Sequence, residues 1–475
     1  MSTPIWAALP QPETHLAGEG RWQPGAVLVD APEDLASDVH RLVDGFERLG
    51  PLLEGRPSST LTIALHGELS GEDYRVEVAD DVRIEAGSPA AAHRAAVSVL
   101  GQVGRHRFLP RGSFAWRPIV GERGVHLDAA RKFYPAEWMH ALLERMSSLG
   151  LNTLQWHFSE NEGVRLASEA FPEIVSPEHL TRAQAREILA HAADLHIAVV
   201  PSLDMPGHLR QVLATRPELR LLTATSGTDT SHALDITNPA AVDFAKRLID
   251  DYATLFADST HWNLGGDEFV DFTRIDDYPT LAAEAHRRFG PAATGFDLLT
   301  DFVNEIGNYL LDLGFVPRAW NDGLLRSAVV ELDRRVEITW WANFHPAMRP
   351  ARAALDGGYR VLNFDDRHWY YVLGQNVGYW HPTAERAWAD GWHPGVFSPI
   401  ADKVAQEWPQ PYPEQLLGSY FSIWSDWGDS ESLDEVWRRM GLPLAAFAER
   451  SWNGGSELTF AQFVALAEAS LAELS

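Results

Sequence analysis

The sequence predicts an α/β protein: a (β/α)8 TIM barrel preceded by a small α+β domain. Three observations carry that expectation: the length of 475 residues, a change of pattern near residue 119, and eight strand-like segments alternating with helices beyond it. So long a chain exceeds one ordinary domain and suits a large domain with a smaller companion. Strands that alternate with helices make a parallel sheet, and eight such units over ~250 residues make a barrel. An open doubly wound sheet is the rival, but no glycine-rich nucleotide fingerprint follows the first strand.

Residues 1–118 are the companion domain. LTIALHG (61–67), YRVEVA (74–79) and VRIEAG (82–87) alternate apolar and polar residues as strands do. A helix is expected from Pro89 to Leu100, with Ser88 as N-cap and Gly101 past its end. Residues 119–475 are the barrel with C-terminal helices. VHLD (125–128) precedes a helix from Pro135 to Ser148, and TLQWHF (153–158) precedes one entered at Thr181, with Gln184 completing a capping box. IAVVPS (197–202) leads to a helix begun by Asn238-Pro239, and HWNLGG (261–266) to one around 297–313. FVPRAW (315–320), VEITWW (336–341), RVLNF (360–364) and GSYFSIW (418–424) complete the eight strands; the last helices centre on 433–449 and 460–474. Segments 203–237 and 365–416 read as long loops on the face where barrel enzymes carry their chemistry.

Composition narrows the function. A formal net charge of -27 argues against nucleic acid or an anionic membrane as partner, because phosphate recognition needs a basic face. The absence of cysteine excludes disulfides, thiolate metal sites and cysteine nucleophiles. No uninterrupted apolar run approaches membrane-spanning length. The opening MSTPIWAALPQPETH has neither the basic nor the apolar region of a secretory leader, so cytoplasmic residence is expected. Eighteen tryptophans are many; indole faces make platforms for sugar C–H faces, and they also fill large cores.

Polar and aromatic residues at the strand C-termini are the catalytic candidates. They are Asp128 with Arg131, His157 with Glu160, Asp204 with His208, Asp267 with Glu268, Trp320 with Asp322, Trp340 with Trp341, Tyr370 with Tyr371, and Trp424 with Asp426. Any one of these is readily a surface cap or a core aromatic; the series is not. His157 and Glu160 are set aside as a metal pair, since no third ligand is near in the sequence and no His-Glu-x-x-His helix exists. No metal and no cofactor are expected.

The sharpest segment is His261-Trp-Asn-Leu-Gly-Gly-Asp267-Glu268. Two glycines let the backbone pass close to another group or adopt positive φ. Neighbours in a strand face opposite ways, but past the strand end Asp267 and Glu268 are free to enter one cavity. Two carboxylates so close do not both ionise freely, and a carboxyl kept protonated is what a glycosidase needs for its leaving group. A double-displacement glycosidase holds its two carboxyls on opposite sides of the bond, ~5 Å apart. Consecutive residues suit the substrate-assisted class, in which a sugar's own 2-acetamido oxygen attacks the anomeric carbon.

Five segments, in order, resemble glycoside hydrolase family 20, the β-N-acetylhexosaminidases. They are Arg-Gly-Val-His-Leu-Asp-Ala-Ala-Arg-Lys-Phe (123–133), Trp-His-Phe-Ser-Glu-Asn-Glu-Gly-Val-Arg (156–165), Pro-Ser-Leu-Asp-Met-Pro-Gly-His (201–208), Leu-Gly-Gly-Asp-Glu (264–268) and Ala-Glu-Arg-Ser-Trp (448–452). The resemblance implies that Glu268 is the general acid/base and that Asp267 orients the acetamido group as it becomes an oxazolinium ion. It implies that Arg131 binds the sugar's 3- and 4-hydroxyls and that Glu160 and His208 form a relay to the acid. His157 falls in the second motif and is counted with the substrate-binding set. Trp320, Trp340 or Trp341, and Trp424 would wall the acetamido pocket, Tyr370 or Tyr371 would hold its oxygen, and Asp426 would meet the 4- and 6-hydroxyls. Asp128 belongs to the first motif without a distinct chemical task.

The chain departs from the family pattern in three places. Glu160-Asn161-Glu162 stands where Asp-Asp-Gln is usual, Ser202 where a glutamate is usual, and Asp426 where many members have glutamate. The shorter Asp426 would suit a relative of lacto-N-biosidase, which releases a disaccharide. The expected partner is a small oligosaccharide or glycoconjugate ending in N-acetylhexosamine. Two rivals remain: a conventional two-carboxylate glycosidase, and a non-catalytic sugar-binding protein on the same barrel.

Overall fold

The structure, a computed structural model, describes residues 6–24, 27–49, 59–222, 229–374, 378–401 and 404–472. The first unit is a six-stranded sheet built from Thr14–Trp22, Val27–Asp30, Ser59–Leu65, Tyr74–Val78, Val82–Ala86 and Leu109–Trp116, in the spatial order first, sixth, fourth, fifth, third, second. Helices Ala36–Leu49 and Pro89–His106 lie against it. Ser88 caps the second helix through its hydroxyl, but Gly101 does not end it. The helix runs on to His106 and stops at Arg107, in the left-handed region at φ 60. Gly101 lies where an added Cβ would come within 3.2 Å of the Ala8 Cβ, so its bareness serves close packing, not termination.

The second unit is the barrel. Its strands are Glu122–Asp128, Thr153–Glu160, Ala198–Met205, His261–Gly265, Val316–Trp320, Glu337–Trp340, Val361–Asn363 and Leu416–Trp424. Each pairs in parallel with the next, and the eighth closes on the first, Gly418 opposite Glu122 through Ile423 opposite Leu127. The Thr181/Gln184 capping box is formed, and Asn238 caps the helix Pro239–Ala253. Pro135 is itself the N-cap of Ala136–Ser148.

Two segments expected as loops carry short elements of their own: helices Arg210–Ala214, Asp366–Trp369 and Ala384–Ala389, a strand Tyr370–Val372 beside the eighth barrel strand, and a small hairpin of Val396–Phe397 with Gln406–Glu407. All are too short to leave a period in the sequence. The helix Pro279–Phe289 was not expected either. Among the described residues no helix is long and apolar enough to cross a membrane.

The barrel interior is polar and cross-linked. His126 meets Gln155 at 3.1 Å, His157 meets Ser202 at 3.0 Å, and Asn263 donates to Thr339 at 3.4 Å. Alternate residues on these strands, such as Trp156, Phe158 and Trp262, point outward into the apolar layer under the helices. The two units share a core at Trp452, which packs with the first unit's apolar cluster under the Arg123 guanidinium, 4.5 Å above its ring.

Candidate active site

The site grows from how the fourth strand stops. It ends at Gly265, and Gly265 and Gly266 both have positive φ, 86 and 92. A Cβ on Gly265 would lie 2.6 Å from Asp204 Oδ1, so only glycine lets Asp204 of the third strand approach. Across the same seam, a Cβ on Gly207 would lie 2.8 Å from the Asp267 carbonyl oxygen. The turns after strands three and four therefore interlock, which sets His208 beside Asp267 and Glu268. His208 and Glu268 are themselves non-glycine residues at positive φ, 55 and 40.

His208 Nε2 lies 3.4 Å from Asp267 Oδ2 and 3.6 Å from Glu268 Oε2, so both carboxylates face one edge of one imidazole. On the other edge His208 Nδ1 lies 2.6 Å from Glu160 Oε1. Glu160 also meets Arg131 Nη2 at 2.6 Å. Asp128 holds Arg131 in place: Oδ2 accepts from Nη1 at 2.9 Å and Oδ1 from the Arg131 backbone at 3.0 Å. Glu162 adds a third carboxylate, 3.3 Å from Nε. The guanidinium is thus surrounded by three carboxylates, of which Asp128 accepts a hydrogen bond from it.

Burial opposes charge on His208, but Glu160 and Asp267 outweigh it and hold the imidazole well above its usual range, charged at neutral pH. Burial likewise opposes the Glu160 carboxylate, and Arg131 and His208 overcome it, keeping Glu160 ionised. Burial lifts Glu268 above the ordinary carboxylate range; His208 works against that shift and Asp267 with it. The Glu268 side chain is 55% open, so the lift comes from the protein walls around the carboxyl rather than from packing directly against it. Burial, reinforced by Asp267, pushes Asp204 well above its usual value.

One cavity of about 440 Å3 gathers Arg131, Glu160, His208, Asp267, Glu268, Trp320, Trp341, Tyr370, Trp424 and Asp426. Its aromatic walls touch: Trp320 and Trp424 have centroids 5.9 Å apart, and Trp341 and Tyr370 are parallel at 6.1 Å. Three expected residues lie elsewhere. Trp340 points outward, edge-on to Phe397 at 5.5 Å, because it ends the sixth strand while Trp341 lies past the end. Tyr371 turns away from its neighbours Tyr370 and Val372, as strand alternation requires, and donates its hydroxyl to Glu431 at 2.6 Å. His157 is fully buried below the cavity in the barrel interior, where burial depresses its pKa.

The cavity also contains Phe344, Val372 and Tyr379, none expected. Tyr379 donates to Asp366 at 2.9 Å. Phe344 and Tyr379 sit outside regular elements, and an abundance of aromatics was their only signal; Val372 ends a strand of three residues, too short to read from the sequence. Asp204 and Asp322 were visible as strand-end acids but carried no role. The fold also supplies what the sequence near His157 and Glu160 lacks, a third donor group: Asp204, 3.9 Å from His157 Nε2. The donor clusters His157/Glu160/Asp204 and Asp204/His208/Asp267 hold their own cation in His208, with Arg131 on Glu160.

Fold and site together define a (β/α)8 barrel with paired carboxylates at the mouth of an aromatic-walled cavity. The model of glycosyl hydrolase family 20, catalytic domain, matches residues 121–455, and the chain belongs to that family. It is 25% identical over 466 residues to a lacto-N-biosidase of Bifidobacterium bifidum, covering 94% of this chain and 40% of that protein. It is 26% identical over 507 residues to a beta-hexosaminidase of Vibrio vulnificus, covering 89% of this chain and 58% of the relative. A Dictyostelium discoideum beta-hexosaminidase subunit A1 is 24% identical over 342 residues, 70% of this chain and 59% of the relative. The chain thus spans about half the length of these relatives.

Among solved structures, the family 20 exo beta-N-acetylglucosaminidase of Vibrio harveyi superposes with a TM-score of 0.80 at 19% identity over 99% of this chain and 78% of that one. The Streptomyces coelicolor family 20 beta-N-acetylhexosaminidase gives 0.76 at 19% identity over 99% and 97%. Both likenesses are of fold.

Proposed function

We propose that the chain is a retaining exo-β-N-acetylhexosaminidase acting through an oxazolinium intermediate. One observation carries the reading: Asp267 and Glu268 lie 3.4 and 3.6 Å from the same His208 nitrogen, on one side of an aromatic-walled cavity. That arrangement sets the second carboxylate beside the acid, a placement suited to holding the substrate's amide rather than to attacking from the opposite side of the bond. The 2-acetamido oxygen of the sugar then attacks the anomeric carbon while Glu268 gives its proton to the leaving oxygen. Asp267 accepts the amide N–H and stabilises the cationic ring as it forms. Water opens that ring, with Glu268 now taking the proton, and the configuration is retained. Arg131 and Asp426 face the sugar hydroxyls, and Trp320, Trp341, Tyr370 and Trp424 enclose the acetamido group.

Purified protein with an aryl N-acetyl-β-glucosaminide tests this. Glu268→Gln and Asp267→Asn should each lose about 100-fold or more in kcat with the fold intact. A thiazoline that mimics the oxazoline should bind far more tightly than substrate. Near-normal turnover by Asp267→Asn, or turnover of glycosides lacking the acetamide, overturns the reading.

A second reading is release of a disaccharide. The short Asp426 carboxylate and the match to a lacto-N-biosidase over 94% of the chain support it. Paired aryl glycosides of N-acetylglucosamine and lacto-N-biose separate the two.

A further inference from the structure

We infer that Asp322 is a positioning residue that fixes the general acid against the pocket wall. It follows Trp320 and Asn321 at the end of the fifth barrel strand and is 1% exposed. Its Oδ2 accepts the backbone N–H of Glu268 at 3.1 Å, and its Oδ1 accepts the indole N–H of Trp341 at 3.4 Å. Asn321 holds the same tryptophan by its main chain, accepting from the Trp341 N–H at 2.9 Å and donating to the Ala342 carbonyl at 2.9 Å. Three consecutive residues therefore link the acid to the cavity: Trp320 forms its wall, Asn321 anchors the next wall, and Asp322 ties that wall to Glu268.

Glu268 needs such a tie. The regular strand ends at Gly265, and Glu268 sits at φ 40, a conformation a non-glycine residue keeps only when its surroundings impose it. A carboxyl is also better suited here than a permanent charge. Burial, and after it the charges of Asp267 and Glu268, push Asp322 up to about 8. Near neutral pH it holds the Glu268 amide without adding another full negative charge beside Asp267.

The test uses how strongly proton donation matters. A 2,4-dinitrophenyl leaving group departs without a proton and a phenyl group does not, so a displaced acid shows in the second substrate only. Asp322→Ala in the full chain should lower kcat/KM for phenyl N-acetyl-β-glucosaminide by about 100-fold, and for the 2,4-dinitrophenyl glycoside by under about 5-fold. Asp322→Asn keeps one acceptor for the two donors and should show the same split at about 10-fold; it serves if the alanine variant does not fold. Equal losses on both substrates, or no loss on either, overturn the inference. It rests on Glu268 as the acid, and Glu268→Gln is the control. If that variant still turns over the phenyl glycoside, the acid assignment fails; if it shows the split and both Asp322 variants do not, only the role of Asp322 fails.

Discussion

Glu268 and His208 oppose each other electrostatically, and that opposition is measurable. The acid form of Glu268 is lost as pH rises through its raised pKa, so turnover falls on that side. The His208 charge works against the raising of Glu268, after burial the largest influence on it. His208→Gln removes the charge, so the upper limb of kcat/KM should move to higher pH, by about one unit, while kcat falls. A limb that stays or moves down contradicts the arrangement. Glu160 gives a second prediction. Its pKa is held below the unfolded value, so its contribution to stability is present above that value and is lost as pH falls through the folded pKa. Glu160→Gln leaves Arg131 and His208 buried without this counter-charge and should cost about 3–5 kcal/mol in urea unfolding near neutral pH. The difference from the parent should shrink in acid.

At the scale of elements, the seam between strands three and four is built on absent side chains. Gly265→Ala places a methyl group 2.6 Å from Asp204 Oδ1 in a backbone at φ 86. The conformation alone costs about 1–2 kcal/mol, and the contact adds to it. We expect a lower melting temperature together with a large loss of kcat, because the same turn carries Asp267 and Glu268. A capping change remote from the site provides the contrast. Thr181 accepts the Gln184 N–H at 3.2 Å, and Thr181→Ala should cost about 1 kcal/mol by denaturant titration with kcat unchanged.

Across the whole molecule, the two units hold each other's buried charges. Arg123, 1% exposed, pairs with Glu72 of the first unit, and Arg94 of the first unit donates to the Leu195 and His196 carbonyls of the barrel at 3.1 and 2.9 Å. Trp452, from the last long helix of the barrel, is buried in the first unit's core. The intact chain should therefore melt in one calorimetric transition, and two resolved transitions would show the units to be independent. Expressed from residue 119, the barrel would expose Trp452 and leave Arg123 without its carboxylate, and should be recovered aggregated.

Much of this was legible in the chain. The strand–helix alternation gave the barrel, since period and length are local properties. Gly265-Gly266-Asp267-Glu268 signalled a strand end carrying two acids, and short polar motifs at successive strand ends marked one face. What the sequence alone did not decide was direction. Whether Trp340 or Trp341, and Tyr370 or Tyr371, faces the cavity depends on where a strand stops, and a one-residue change reverses every side chain. Gly101 has the composition of a helix terminus but the task of a close contact with a segment more than ninety residues earlier. Asp204, Asp322, Phe344 and Tyr379 meet the acid pair only because closing the barrel brings separate strands and loops to one mouth. The sequence determined the eight barrel strands, most of the long helices between them and the chemical inventory, which depend on near neighbours. Which groups share a cavity, and so shift one another's proton affinity, was decided by contacts across the closed barrel.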